Sequence, residues 1–179
     1  MFGEYIEDAV AFYELAEEKI TQDNERDAKM FYRASVFCGA NSMEAFINLI
    51  GEVFKQGDNI DKNEIAYLND KILEFSPSKI KVEDRTKYYA IDDKIKFIIK
   101  RFGVNIDIGS SKEWANYIKF KLLRDSLVHP KSIDDTMIIS DYKKNIKNGL
   151  NSTLDIMNEI SKKIFSKSLR KGLLKLKIE

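Results

Sequence analysis

The sequence predicts an all-α fold, an antiparallel bundle of about five to six helices, and three observations carry that expectation. Proline occurs only at Pro77 and Pro130, and eight glycines are spread over 179 residues, so long stretches run without a breaker. Apolar residues recur at spacings of three and four, which gathers them on one helix face. Asn, Asp and Ser precede several of these stretches, where their side-chain oxygens can satisfy the free N–H groups of a first helical turn.

The first helix is expected from Tyr5 to Ile20, where Ile6, Val10, Phe12, Tyr13, Leu15, Ala16 and Ile20 form a stripe on an otherwise acidic segment. A second starts after Asp23-Asn24 and runs through Met30, Phe31, Ala34, Phe37, Ala40, Phe46, Ile47 and Ile50 to about Phe54. Gly57-Asp58-Asn59 breaks the pattern; Asp61 then caps a third helix carrying Ile65, Leu68, Ile72 and Leu73, ended by Ser76-Pro77-Ser78. A fourth is expected from about Val82 to Phe102, burying Tyr88, Ile91, Ile95, Phe97 and Ile98 and stopping at Gly103. Ser110 or Ser111 caps a fifth, with Trp114, Tyr117, Ile118, Leu122 and Val128 as apolar contacts, and Pro130 disfavours helix past His129. The sixth, roughly Asp141 to Phe165, carries Leu150, Leu154, Ile156, Met157, Ile160 and Ile164, and a basic helix or tail follows over 162–179.

A chain that is 44% hydrophobic and 33% charged reads as one domain over 1–179 with its core over about 3–165. The lone cysteine, Cys38, has no second cysteine to pair with, so a reducing, cytoplasmic location is expected. No apolar run reaches the roughly 20 residues of a membrane span, and the acidic start at Glu4, Glu7 and Asp8 is unlike a signal sequence, so no membrane association is expected. The net charge of +1 hides a polarity: acids dominate the first segment, whereas Lys162, Lys163, Lys167, Arg170, Lys171, Lys175 and Lys177 make the end basic. Such an end can attract phosphate backbones or complement the negative pole of a helix.

With one histidine and one cysteine, the chain has no HExxH, no CxxC pair and no GxxxxGK loop, which disfavours zinc and P-loop chemistry; no metal or cofactor is expected. The remaining concentration of reactive types is Arg124-Asp125-Ser126-Leu127-Val128-His129. Five residues advance a helix by about 500°, so Arg124 and His129 would point about 140° apart. Two arrangements bring them together: His129 leaves helical geometry ahead of Pro130, or a second copy meets the first across a dimer axis. Guanidinium grips phosphate oxygens in a fork and imidazole exchanges protons near neutral pH, which suits phosphodiester chemistry without a metal.

This segment matches R-[N/D/H]-x-x-x-H and resembles the Rx4-6H motif of HEPN domains, helical bundles known from prokaryotic toxins, defence systems and RNA-processing nucleases. Upstream, Ala40 to Asn48 looks like the long second helix of that superfamily, with Asn41, Glu44 and Asn48 sharing one face by spacing. The resemblance implies a metal-independent endoribonuclease that works as a homodimer, both motifs facing one cleft. His129 would deprotonate the ribose 2′-hydroxyl or protonate the leaving oxygen, Arg124 would hold the phosphate, and Asp125 would orient one of them. Cleavage would leave a 2′,3′-cyclic phosphate. Among related toxins a tyrosine often stands two residues after the histidine; here that position is Lys131, a surface lysine or a further phosphate contact. Asn41 and Glu44 would support the substrate side of the site or form a polar seam between helices, and Tyr88, Tyr89 and Trp114 would stack on bases or fill core. As a toxin or defence component the chain would have RNA as its substrate and an antitoxin or neighbouring-gene protein as its partner. The alternative is a noncatalytic module for RNA or nucleotide binding, protein interaction or dimerisation.

Overall fold

In the computed structural model, residues 1–57, 60–76, 79–129 and 137–179 are described, with backbone only over 72–76 and 79–85. Helices α1 (Phe2–Thr21) and α2 (Glu25–Phe54) pack antiparallel, as the ring pairs Phe2–Phe46 at the start of α1 and Tyr13–Tyr32 near its middle require. Asn24 caps α2 by accepting from the Asp27 N–H at 3.2 Å. Asp61 and Glu64 form a reciprocal capping box on α3 (Lys62–Leu68). Beyond it, α4 (Ile91–Phe102) stops at Gly103, whose φ of 61° is the left-handed conformation that glycine adopts without strain. Ser111 is the serine that caps α5 (Lys112–Val128), accepting from the Trp114 N–H at 3.1 Å. The long α6 (Ile139–Phe165) and the single-turn α7 (Lys171–Leu174) complete the order.

The fold is thus an all-α bundle, with seven helices among the described residues. One departure from the expected order is an antiparallel hairpin, β1 (Lys71–Ser76) and β2 (Lys79–Thr86), between α3 and α4. Ile72 and Leu73 therefore belong to a strand, and the fourth helix begins at Ile91 rather than near Val82. The physical reason is a period of two: Ile80 and Val82 alternate with Lys79, Lys81 and Glu83, and Leu73 stands opposite Val82 in the register. Tyr88, expected in a helix core, lies in the connection after β2 and is 87% exposed.

The base of the hairpin is tied by Asp70, itself at φ 57°. Its carboxylate accepts from the Tyr89 N–H at 2.9 Å and from Lys94 Nζ at 2.7 Å, and its carbonyl accepts from the Lys87 N–H at 2.8 Å. Lys94 is buried and also donates to the Leu68 carbonyl at 3.1 Å. A buried ammonium is tolerated only when paired and hydrogen-bonded in this way. The same corner stacks Tyr67 against Tyr89 and Phe97.

Phe120 of α5 enters between two glycines. A Cβ on Gly149 would lie 2.4 Å from the Phe120 ring and 2.5 Å from its Cβ, and one on Gly39 would lie 2.8 Å from its Cζ. Backbone of α2 and α6 thus closes on α5 to a distance that any other residue would obstruct. This contact sets the rotation of α5.

The chain end folds back onto the body. Asn158 accepts from the Leu169 N–H at 3.0 Å, Ser161 donates to the Lys167 carbonyl at 2.7 Å, and Asn151 bonds the backbone of Ile178 in both directions. Leu169 and Leu173 are buried in the common core. Among the described residues no helix is long and apolar enough to cross a membrane.

Candidate functional site

Helix α5 presents three faces. Trp114, Tyr117, Phe120 and Leu123 are buried; Lys121, Arg124 and Asp125 turn to a cleft shared with α2 and α4; Lys119, Leu122, Ser126 and His129 form an exposed row. Leu122 and Val128, expected as core contacts, are 58% and 40% exposed, because Phe120 in its glycine slot rotates those positions outward. The two principal residues of the motif therefore stand on different faces, as the helical angle between them requires.

At the cleft, Arg124 is held by two carboxylates. Its Nη1 donates to Asp125 Oδ1 at 3.2 Å and its Nη2 lies 3.6 Å from Glu44 Oε1 on α2. Asp125 also receives Lys121 Nζ at 3.1 Å, and Lys121 reaches Asp92 of α4 at 3.5 Å. Asp92 in turn receives Lys96 at 3.0 Å. Burial works to raise the Asp92 pKa, but the Lys96 hydrogen bond and the charges of Lys121 and Lys96 outweigh it and hold the carboxyl below its ordinary value. Burial likewise opposes the charge on Lys121, and the Asp125 hydrogen bond and Asp92 overcome it, so its pKa is raised. Tyr117 lines the cleft; burial and then the charges of Asp92, Glu44 and Asp125 push its phenol upward, which keeps it a neutral hydroxyl.

The cleft is small, about 30 Å³, room for about two waters. It can seat a phosphate oxygen against Arg124 but cannot engulf a base. His129 closes α5 as its C-cap at φ −123° and ψ 66°, its N–H bonded to the Asp125 carbonyl at 2.9 Å. That backbone has left the helical region, which proline disfavours for the residue before it, without reaching the fully extended range. The imidazole is exposed and has no hydrogen-bond partner among the described residues.

Of the remaining positions singled out in the sequence, Glu44 reaches the cleft, whereas Asn41 and Asn48 are exposed and form no buried seam. Lys131 and Pro130 lie outside the described residues. Trp114 is buried beside Tyr117 at 5.6 Å and serves the core, and Tyr89 is half-buried against Tyr67 at the hairpin corner. Three cleft residues escaped the sequence reading: Lys121, Asp92 and, as a cleft rather than purely core residue, Tyr117. The spacing of Tyr117, Lys121 and Arg124, four and then three, would have placed them on one face. Among the described residues no group of three or more His, Cys, Asp or Glu side chains is arranged to hold a metal ion. Comparison with family models, with curated proteins and with solved structures finds no match for this chain.

Proposed function

We propose that the chain is a HEPN-like, metal-independent endoribonuclease, a toxin or defence component, in which His129 is the acid–base group and Arg124 the phosphate-binding group. The observation that carries this reading is an exposed imidazole at the end of α5, without a hydrogen-bond partner among the described residues, together with a guanidinium that opens on the adjacent cleft about one and a half turns earlier. An exposed imidazole is available to exchange a proton with a bound substrate.

In this mechanism a phosphodiester lies over the cleft mouth with its non-bridging oxygens on Arg124. His129 takes the proton of the ribose 2′-hydroxyl as that oxygen attacks phosphorus, the bond to the 5′-oxygen breaks, and the leaving oxygen is protonated by an imidazolium. Asp125 fixes the Arg124 fork, and Lys121 offsets part of its negative charge. The different faces of Arg124 and His129 fit a homodimer in which the His129 of one copy meets the Arg124 of the other across a shared groove. An antitoxin or neighbouring-gene protein would silence the site by covering that groove.

The two carboxylates on Arg124 favour the second reading, a noncatalytic binding module, because phosphate must compete with Glu44. The cost of that competition is small. Glu44 is 44% exposed, and an exposed ion pair is worth at most about 1 kcal/mol, or about fivefold in affinity. Incubation in EDTA of the wild type with a single-stranded RNA and with its 2′-deoxy counterpart separates the two readings. Cleavage of the RNA alone, leaving 2′,3′-cyclic phosphate ends, is expected; cleavage of both strands, 5′-phosphate ends, or binding without product would overturn the ribonuclease reading.

A further inference from the structure

The folded-back chain end carries charge out of proportion to its size. Residues 162–179 hold seven cations and one acidic side chain, a formal +6, which leaves −5 on the rest of a chain whose net charge is +1. Only two of these cations have acid partners among the described residues: Lys162 with Glu159 at 2.6 Å and Lys177 with Asp155 at 2.5 Å. Lys163, Lys167, Arg170, Lys171 and Lys175 are exposed and have none. Elsewhere Lys55, Lys94, Lys96, Lys121 and Lys143 have a carboxylate, whereas exposed lysines without one, such as Lys62, Lys100, Lys112 and Lys144, are spread singly over α3, α4, α5 and α6 rather than gathered in one segment.

The simplest structural explanation is that lysines at a helix end complement its negative pole. That effect fades within the last turn, so it covers Lys162 and Lys163 of α6 but not Lys167, Arg170, Lys171 and Lys175, the four cations beyond Ser166 without an acid partner among the described residues. Nor are those four on a loose tail. Asn158, Ser161 and Asn151 hold the backbone, and Leu169 and Leu173 are buried, so the intervening cations are fixed outward. Arg170 lies over the first turn of α1 at Gly3. Like charges held together at a surface repel, and a polyanion relieves that repulsion.

We infer that this cation array is a docking surface for the phosphate backbone of RNA, separate from the Arg124 and His129 site. Helix α6 starts at Ile139, so Lys163 lies roughly 36 Å along it from the end next to α5, and the chain then runs back until Lys177 pairs with Asp155, roughly 24 Å along; the array borders the far half of α6 and would grip RNA away from the point of cleavage. The choice of RNA as the polyanion rests on the function proposed above; the array itself does not.

The test is fluorescence anisotropy with a short single-stranded RNA, in EDTA, on the full chain carrying His129→Ala so that no cleavage intervenes. The variant Lys163→Gln, Lys167→Gln, Lys171→Gln, Lys175→Gln is compared with an equal charge change elsewhere, Lys62→Gln, Lys100→Gln, Lys112→Gln, Lys144→Gln. The first set is expected to lose on the order of tenfold in affinity at low salt and to flatten the slope of log affinity against log salt by about 3, at ~0.7 per phosphate contact. The second set should change little. Crosslinking of a 4-thiouridine RNA to the unsubstituted lysines, mapped to residues 162–177, gives the same answer without relying on a variant that folds.

Equal loss in both sets, no loss in the first, no RNA binding at all, or binding only to phosphatidylserine vesicles would overturn the inference. Lysine-dependent binding with no cleavage by the wild type would sink the ribonuclease and leave this surface standing. Cleavage by the wild type with unchanged RNA affinity in the first set would do the reverse.

Discussion

At the scale of single residues, the cleft is a chain of alternating charges running Glu44, Arg124, Asp125, Lys121, Asp92, Lys96. Because Glu44 would compete with phosphate at the proposed Arg124 site, Glu44→Gln is predicted to raise the affinity for inorganic phosphate or RNA up to about fivefold, read by titration calorimetry. The same chain sets a pH dependence. The depressed Asp92 pKa contributes stability that is present above the ordinary carboxyl range and is lost as pH falls through its folded value, below about pH 4. The raised Lys121 pKa contributes stability that is present below the ordinary lysine range and is lost as pH rises through its folded value, above about pH 10.4. Urea melts should therefore show no contribution from these two groups to pH dependence between those limits, and Asp92→Asn should shrink the acid-side decline. An undiminished acid-side decline in Asp92→Asn would place its origin elsewhere.

Among the elements, the glycine slot around Phe120 and the Asp70–Lys94 corner do most to position the site. Gly149→Ala would drive a methyl against Phe120 Cβ, an atom anchored to the α5 backbone that no rotamer change can move away. Overpacking of this kind costs about 1–3 kcal/mol or more, and because α5 must shift, Arg124 should lose its place as well. Thermal melts together with phosphate affinity would reveal both effects; a variant that loses stability but binds as before would detach the slot from the site. At the corner, Lys94→Met strips the Asp70 carboxylate of its buried cation and should cost about 3 kcal/mol, with part recovered in Lys94→Met, Asp70→Asn. Hydrogen exchange at the Tyr89 amide would localise the damage.

For the whole molecule, what was legible in the sequence was what is locally determined. Asn24, Asp61, Ser111 and Gly103 each act on their own turn, so their roles as helix boundaries follow from residue type and position. The hairpin was less legible because Ile65, Leu68, Ile72 and Leu73 also satisfy helical spacing, and the pairing of Leu73 with Val82, nine residues later, is a choice that helical periodicity does not reveal. The docking of the chain end depends on Asn151 and Asn158, whose amides identify a partner only in three dimensions. Leu173→Ala should accordingly destabilise the whole bundle by about 2–5 kcal/mol rather than merely release a tail. At the candidate site, residue types picked out Arg124, Asp125, His129 and Glu44; Lys121 carried only the signal of its spacing to Tyr117 and Arg124, and Asp92 was missed because an aspartate in a different helix carries none until α4 and α5 meet.

The central claim is that His129 moves the proton in phosphodiester cleavage, and the rate of RNA cleavage in EDTA by His129→Ala against the wild type tests it most directly. The account predicts a loss of about 10²- to 10⁴-fold with an unchanged melting temperature, since the exposed imidazole has no bonding partner among the described residues to lose. A variant that cleaves at the wild-type rate would contradict it.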